Sequence, residues 1–374
     1  DGNPRQKVRS TTNHKFVLDY VDLSNENDID ELIKNNIYQE SNFEFDLALD
    51  SLFRVKLLKI SKDEYVFNLV MHHIISDGWS IRVLRNEIFT LYNAYINKHK
   101  NPLIPLQVQY KDYAAWQQKQ LKSNQLEESR RFWLEEFDEK PVALEIPVAK
   151  LESNVKNYDG NIIHTFYNKE QLHTFKNLCE KQGATLYMGL LALVKLLLFK
   201  YSNQKDITIG SPVSGREHPE LSNQIGFYVN LLGLRTVLNP NESFLELLSK
   251  LRGNILEAYN HQGYPFDQLL EDLDLSGNTL FDIVLNLENN HGQSENSLEI
   301  SGLIIEEFNL IESKSSKFGL EFTFQETEQG LNLFLSYNSA IYAGDFVERM
   351  SKHLEVLMHS IILSPESSLE TISF

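Results

Sequence analysis

The stretch LYMGLLALVKLLLF, from Leu186 to Phe199, sets the strongest constraint on this chain. A helix that is apolar on every side has to be buried all round, in a large core or in a membrane. Lys195 interrupts the run, which also falls short of the ~20 residues a membrane helix needs. The run therefore reads as a core helix with other layers packed about it. A chain of 374 residues can supply them, being long enough for two ordinary domains or one large one. At 42% hydrophobic and 23% charged, its composition is that of a globular protein.

A net charge of -17 argues against nucleic acid or an anionic membrane as main partner, since both call for clustered Lys and Arg. Cys179 is the sole cysteine, which rules out an intrachain disulfide and a Cys-rich metal site and suits a reducing cytoplasm. No signal peptide opens the sequence. Asp1-Gly2 is a hairpin turn signal, and Pro4 to Thr12 reads as the strand after it, so an earlier strand is expected upstream of residue 1.

Periodicity predicts alternating strands and helices. Leu52 to Ile60 puts Phe53, Val55 and Leu57 on one face, and Tyr65 to Met71 returns after a polar turn. Beyond Gly78, residues Ile81, Leu84, Ile88, Leu91 and Tyr95 recur at helical spacing. Helices are expected at Leu126–Phe137, Leu172–Gln182, Thr185–Tyr201, Phe244–Tyr259 and Asp345–Leu363. Strands are expected at 162–166, 207–210 and 280–287, with a hairpin of Leu320–Phe324 and Leu331–Tyr337. The class is α/β (α+β) with mixed sheets, and the lobe boundary is expected near Asn168 to Gln171, dividing 1–168 from 169–374.

The densest chemistry lies in MHHIISDGWS, Met71 to Ser80, at a strand-to-loop-to-helix junction where side chains commonly reach a cleft. A metal needs three or four convergent ligands, but neighbours on a strand face opposite ways and no other His-rich cluster offers a third. No metal is expected. The alternatives are a hydrogen-bonded strand end, or one histidine in a cleft with the other turned inward. Gly78 permits tight packing or close backbone approach to a ligand, and Asp77 can brace the loop through a charge pair.

His72-His73-Ile74-Ile75-Ser76-Asp77-Gly78 resembles the HHxxxDG signature of nonribosomal peptide synthetase condensation domains. Three more segments follow in family order: Tyr110 to Trp116 resembles YxDYAxW, Ile225 to Asn230 resembles IGxFVN, and His261 to Asp267 resembles HQxYPFE with Asp for Glu. The resemblance extends from residue 1 to the C-terminus. Two departures stand out. Leu273 to Phe281 lacks both arginines of the family's RDxSRNPLF, and the two motifs that precede HHxxxDG are missing. The arginine that pairs with Asp77 is expected in that earlier segment, with Arg216 as a stand-in. Tyr110, Tyr113 and Trp116, at i, i+3 and i+6, read as helix packing, and Tyr264-Pro265-Phe266 as a rigid turn. Asn230, at the end of an apolar strand, is open between a structural hydrogen bond and a cleft contact.

The resemblance implies two pseudo-symmetric chloramphenicol acetyltransferase-like lobes in a V with a central tunnel. A donor aminoacyl or peptidyl thioester and the α-amine of an acceptor aminoacyl thioester would meet there, each on the phosphopantetheine arm of an upstream or downstream peptidyl carrier domain, with an adenylation domain as neighbour. The domain itself would bind no cofactor. His73 would be catalytic, His72, Asp77 and Gly78 supporting, and Trp79, Ser214, Arg216 and Asn230 tunnel contacts. Leu280 to Glu288, with the polar loop Asn289 to Ser297, would cross to the N-terminal lobe as a latch, within a C-terminal lobe that carries latch and floor segments. Three other readings share parts of the signature. An epimerization domain reads DGVSWR where this chain has Asp77 to Arg82, a coenzyme A-dependent acyltransferase need not carry the other motifs, and a non-catalytic recruitment relative usually loses the second histidine.

Overall fold

Strand β1 (Asp19–Asp22) leads into helix α1 (Ile29–Ser41) and the antiparallel pair β2 (Phe53–Lys59) and β3 (Tyr65–Met71). These belong to a computed structural model that describes residues 5–10, 16–147, 158–275, 279–289, 300–306 and 316–374. The sheet order is β1-β2-β3, with β1 parallel to β2. In register, Phe53 faces Met71, Val55 faces Leu69 and Leu57 faces Phe67, the face read from the alternation. The other face carries Leu58 and Val66, which pack with Ile33 of α1 and with Leu23 into a small core. Glu40 fastens α1 to β2 through Arg54 at 2.5 Å and Lys56 at 2.8 Å. The Arg54 hydrogen bond draws its carboxyl down to about 2. Helices α2 (Gly78–Ile96) and α3 (Tyr110–Lys122) follow.

The described residues divide into two units, the first taking the chain up to 119 together with 216–228 and 300–306. The second contains α4 (Glu127–Glu136), β4 (Gly160–Asn168), α5 (Lys169–Lys181), α6 (Leu186–Ser202), β5 (Asp206–Val213) and β6 (Asn230–Val237). It continues through α7 (Phe244–Asn260), α8 (Phe266–Asp272), β7 (Ile283–Asn289), β8 (Leu320–Glu326), β9 (Gly330–Asn338) and α9 (Gly344–Leu363). The sheet order is β4-β9-β8-β7-β5-β6, mixed in direction because β7 runs parallel to both β5 and β8. Helix α6 is the apolar run, and Leu190 to Leu198 are fully buried, Lys195 among them. Thr185 and Met188 form a capping box at its start. Gly210 of β5 is demanded by space, since a Cβ there would stand 2.2 Å from the Phe281 ring.

Mixed sheets with helices between the strands bear out the α/β (α+β) class. Several local expectations need correction. The units do not divide at 168/169, because β4 pairs with β9 along its whole length, from Gly160 opposite Asn338 to Asn168 opposite Gly330. Leu280 to Glu288 does not cross to the first unit as a latch; β7 lies within the six-stranded sheet, while residues 290–297 of the loop lie outside the described residues. It is 300–306 that groups with the first unit, where Ser301 N–H donates to Asn93 Oδ1 on α2 at 2.8 Å. Asn230 opens β6 instead of closing a strand. Residues 5–10 carry no strand, and the expected turn at Asp1-Gly2 lies outside the described residues. Among the described residues no single helix is long and apolar enough to cross a membrane.

Candidate active site

Strand β3 ends at Met71, and the chain then closes into a single 3-10 turn over His73–Ile75 before α2 begins. His72 stays in extended backbone and caps that turn, its Nδ1 accepting from Ile74 N–H at 3.1 Å, while its ring meets Phe45 edge to face at 5.9 Å. It is half-buried. His73 is exposed on the turn, its ring 5.2 Å from that of Phe227. The two imidazoles thus differ in exposure, His72 half-buried against the turn that it caps and His73 open. Among the described residues no three His, Cys, Asp or Glu side chains come together.

Asp77 caps α2, its Oδ1 accepting from Ser80 N–H and Ser80 Oγ–H, each at 2.7 Å. Its partner is Arg216. Nη2 lies 3.0 and 3.2 Å from the two carboxylate oxygens, and both side chains are almost wholly removed from solvent. Arg216 is thus the stand-in that the sequence offers for this pairing, and its guanidinium, expected as a tunnel contact, is spent inside the pair. Arg216 Nη1 donates to the carbonyls of Leu221 and Gln224 at 2.6 and 2.9 Å, and its guanidinium lies 4.1 Å from the centre of the Tyr228 ring. Tyr228 N–H donates to Asp77 Oδ2 at 3.1 Å. Arg216 Nε–H is the one donor of this buried pair left without a hydrogen-bond partner among the described residues, and the others tie residues 216–228 to the motif loop.

Ser80 completes the tie. With its one hydrogen given to Asp77, its Oγ accepts from Gly226 N–H at 3.0 Å and from Arg216 Nη2 at 2.9 Å. Gly226 packs so closely that a Cβ would meet Tyr110 at 2.3 Å. Tyr110, Tyr113 and Trp116 pack along this segment on α3: Tyr113 lies 4.7 Å from Tyr228, and Trp116 meets His218 at 5.2 Å. Burial pushes the Tyr113 and Tyr228 phenols up to about 12, so both stay neutral. Trp79, exposed beside them, donates its indole N–H to Ser222 O at 2.7 Å. Gly78 is exposed and a Cβ there would meet nothing within 4 Å, so tight packing does not demand a glycine here.

The remaining candidates lie in the second unit. Ser214 is exposed just beyond β5. Asn230 is a clamp, donating to Gln262 O and Tyr264 O at 2.8 and 2.7 Å and accepting from Phe266 N–H at 3.0 Å. Its amide is fully used on the Gln262–Phe266 turn, which settles the choice in favour of structure. Tyr264 in that turn donates to Asp272 at 2.6 Å, and His261 stacks on Phe132 at 4.3 Å. Ser80, Gln224 and Phe227 do not stand out in the sequence. The serine directly after Asp-Gly-Trp is the available signal, since a cap is completed by the residue three positions on.

The sequence matches the condensation domain family over residues 1–374. The chain belongs to that family. It is 34% identical to tyrocidine synthase 3 of Brevibacillus parabrevis, over 100% of this chain and 6% of that protein. It is 32% identical to gramicidin S synthase 2 of Aneurinibacillus migulanus, over 99% of this chain and 8% of that protein. The condensation domain thus spans under a tenth of these relatives' length. Among solved structures, the X-domain from teicoplanin biosynthesis superposes with a TM-score of 0.86 at 20% identity, over 96% of this chain and 81% of that one. The first condensation domain of the calcium-dependent antibiotic synthetase, in complex with a substrate analogue, gives 0.74 at 17% identity, over 96% and 78%. These likenesses show the chloramphenicol acetyltransferase-like fold.

Proposed function

We propose that this domain forms an amide bond between a donor aminoacyl or peptidyl thioester and the α-amine of an acceptor aminoacyl thioester. Both substrates arrive on phosphopantetheine arms of peptidyl carrier domains, in a synthetase that also contains an adenylation domain. The observation that carries the reading is His73: an exposed imidazole on a turn whose base is fixed by the buried Asp77–Arg216 pair. The likeness to tyrocidine and gramicidin S synthases supports the substrate class.

The chemistry asks little of the protein as a base. An α-amine with a reference pKa near 8 is already about a tenth neutral at pH 7. Its nitrogen attacks the thioester carbonyl carbon, and the adduct must lose a proton from nitrogen before the carbon–sulfur bond breaks. The neutral His73 imidazole accepts that proton, or the amine's hydrogen bond, and the released thiolate takes up the proton. Base catalysis supplies roughly 10²–10⁴-fold. Aligning two tethered reactants supplies an effective molarity of ~10⁵–10⁸ M, so positioning contributes more.

The test is a condensation assay with both carriers loaded, read by intact-protein mass spectrometry. The expected result is dipeptidyl product on the acceptor carrier. Inversion of the donor residue without bond formation would transfer the reading to an epimerization domain. Transfer from acyl-coenzyme A with no need for carriers would make it a free acyltransferase. No conversion by folded protein would leave a recruitment role.

A further inference from the structure

We infer that Phe227 is a positioning residue for His73, an inference that rests on the condensation reading. In the IGxFVN pattern, Phe227 occupies the position that the family leaves open, with Gly226 and Tyr228 on either side of it. The backbone around it is pinned at three points by the groups that build the motif loop. Gly226 N–H donates to Ser80 Oγ at 3.0 Å, Tyr228 N–H reaches Asp77 at 3.1 Å, and Tyr110 Oη–H donates to Phe227 O at 2.9 Å. The segment's backbone is thereby held from several sides, yet the Phe227 ring itself stands 40% exposed, with His73 as its aromatic neighbour.

His73 needs such a neighbour. Neither of its ring nitrogens has a hydrogen-bond partner among the described residues, so the orientation of its imidazole rests on packing. The rings meet at 80° with centroids 5.2 Å apart, the edge-to-face arrangement that aromatic pairs prefer. An exposed imidazole without this contact would be free to occupy several rotamers, only some of which point a nitrogen at the attacking amine. The same two residues, Ser80 and Asp77, hold both sides of the contact. Asp77 fixes the start of α2 directly after the His73 turn, and Ser80 and Asp77 together fix the backbone of Phe227.

The experiment compares wild type, Phe227→Ala, Phe227→Tyr, His73→Ala and the Phe227→Ala/His73→Ala pair with loaded donor and acceptor carriers. Phe227→Ala is expected to lower kcat about 10-fold while KM for the acceptor carrier moves less than about twofold. Phe227→Tyr should restore the rate, and the pair should be no slower than His73→Ala alone, because a residue acting through His73 has nothing left to position. A further loss in the pair, or a loss expressed in KM, would overturn the inference and make Phe227 a substrate contact. The second measurement needs no turnover. The imidazole C–H resonances assigned by their loss in His73→Ala should shift in Phe227→Leu as the ring current disappears. Unmoved resonances would overturn the contact itself. Wild type without product would refute the condensation reading, while the resonances still decide whether Phe227 sets His73.

Discussion

Each unit of this domain buries a cation, and the two are accommodated in opposite ways. In the first unit Arg216 meets Asp77 face on, with the charge neutralised by its partner and the leftover carboxylate lone pairs taken by Ser80 and Tyr228. In the second, Lys195 lies fully buried in α6 and donates to the carbonyls of Ile207 and Leu234 at 2.6 and 2.7 Å. Its nearest acidic groups act only from a distance. Asp206 is paired with Arg235 at 2.7 Å, Glu136 lies on α4, and neither is within 4.0 Å of the amine. Burial therefore drives the amine down to about 7, against the pull of those two carboxylates. A neutral amine has two N–H groups, and two carbonyls take them. The paired solution fixes geometry, which a loop carrying chemistry needs; the unpaired one fills space in a core where the cost of charge is shed with a proton.

The comparison breaks most visibly at the pair. Asp77→Ala or Arg216→Ala leaves one fully buried charge uncompensated, and either should cost about 3–5 kcal/mol in urea or thermal unfolding. Loss of less than about 1 kcal/mol from both would mean that the pair is not closed to water. A neutral clamp should cost less. Asn230→Ala strips three hydrogen bonds from the Gln262–Phe266 turn but leaves no charge, so roughly 1–3 kcal/mol is expected on the same unfolding curves.

Lys195 sharpens the contrast through pH. Its folded pKa, about 7, lies below the ordinary 10.5, so between those values the unfolded chain binds more protons than the folded one. Stability then rises with pH across that window, and is at its lowest below it, where the buried amine has to carry its charge. Lys195→Met removes this dependence. At pH 7 the variant should match wild type within about 1 kcal/mol or exceed it, and wild type should gain on it steadily as the pH is raised toward the ordinary lysine value. A stability difference that stays flat over that range would show that the amine keeps its charge in the core.

Much of this is legible in the sequence where one period or one motif dictates structure. The apolar run can only be a buried helix, and Phe53, Val55 and Leu57 can only share a face. The place of His72 and His73 at a strand end is legible too, although the turn that takes in His73 is not. What stays hidden depends on long-range contacts. Arg216 is 139 residues from Asp77, and although the resemblance offers it as a stand-in, nothing local marks a guanidinium that will be buried. The assignment of β4 to the second unit is carried by β9, far along the chain, so a boundary drawn from local signals at Asn168 cannot anticipate it. Asn230 reads as a strand end because Ile225 to Val229 are largely apolar, yet those residues form the loop that lies along Asp77 and Ser80.

The central claim is that Asp77 and Arg216 hold a loop whose working group is His73. Single-turnover condensation with both carriers loaded, measured on His73→Ala beside its melting curve, tests it most directly. Product formation should slow by roughly 10²–10³-fold, with a melting temperature close to wild type, because an exposed side chain contributes little to the core. Full turnover by a folded His73→Ala protein would contradict it.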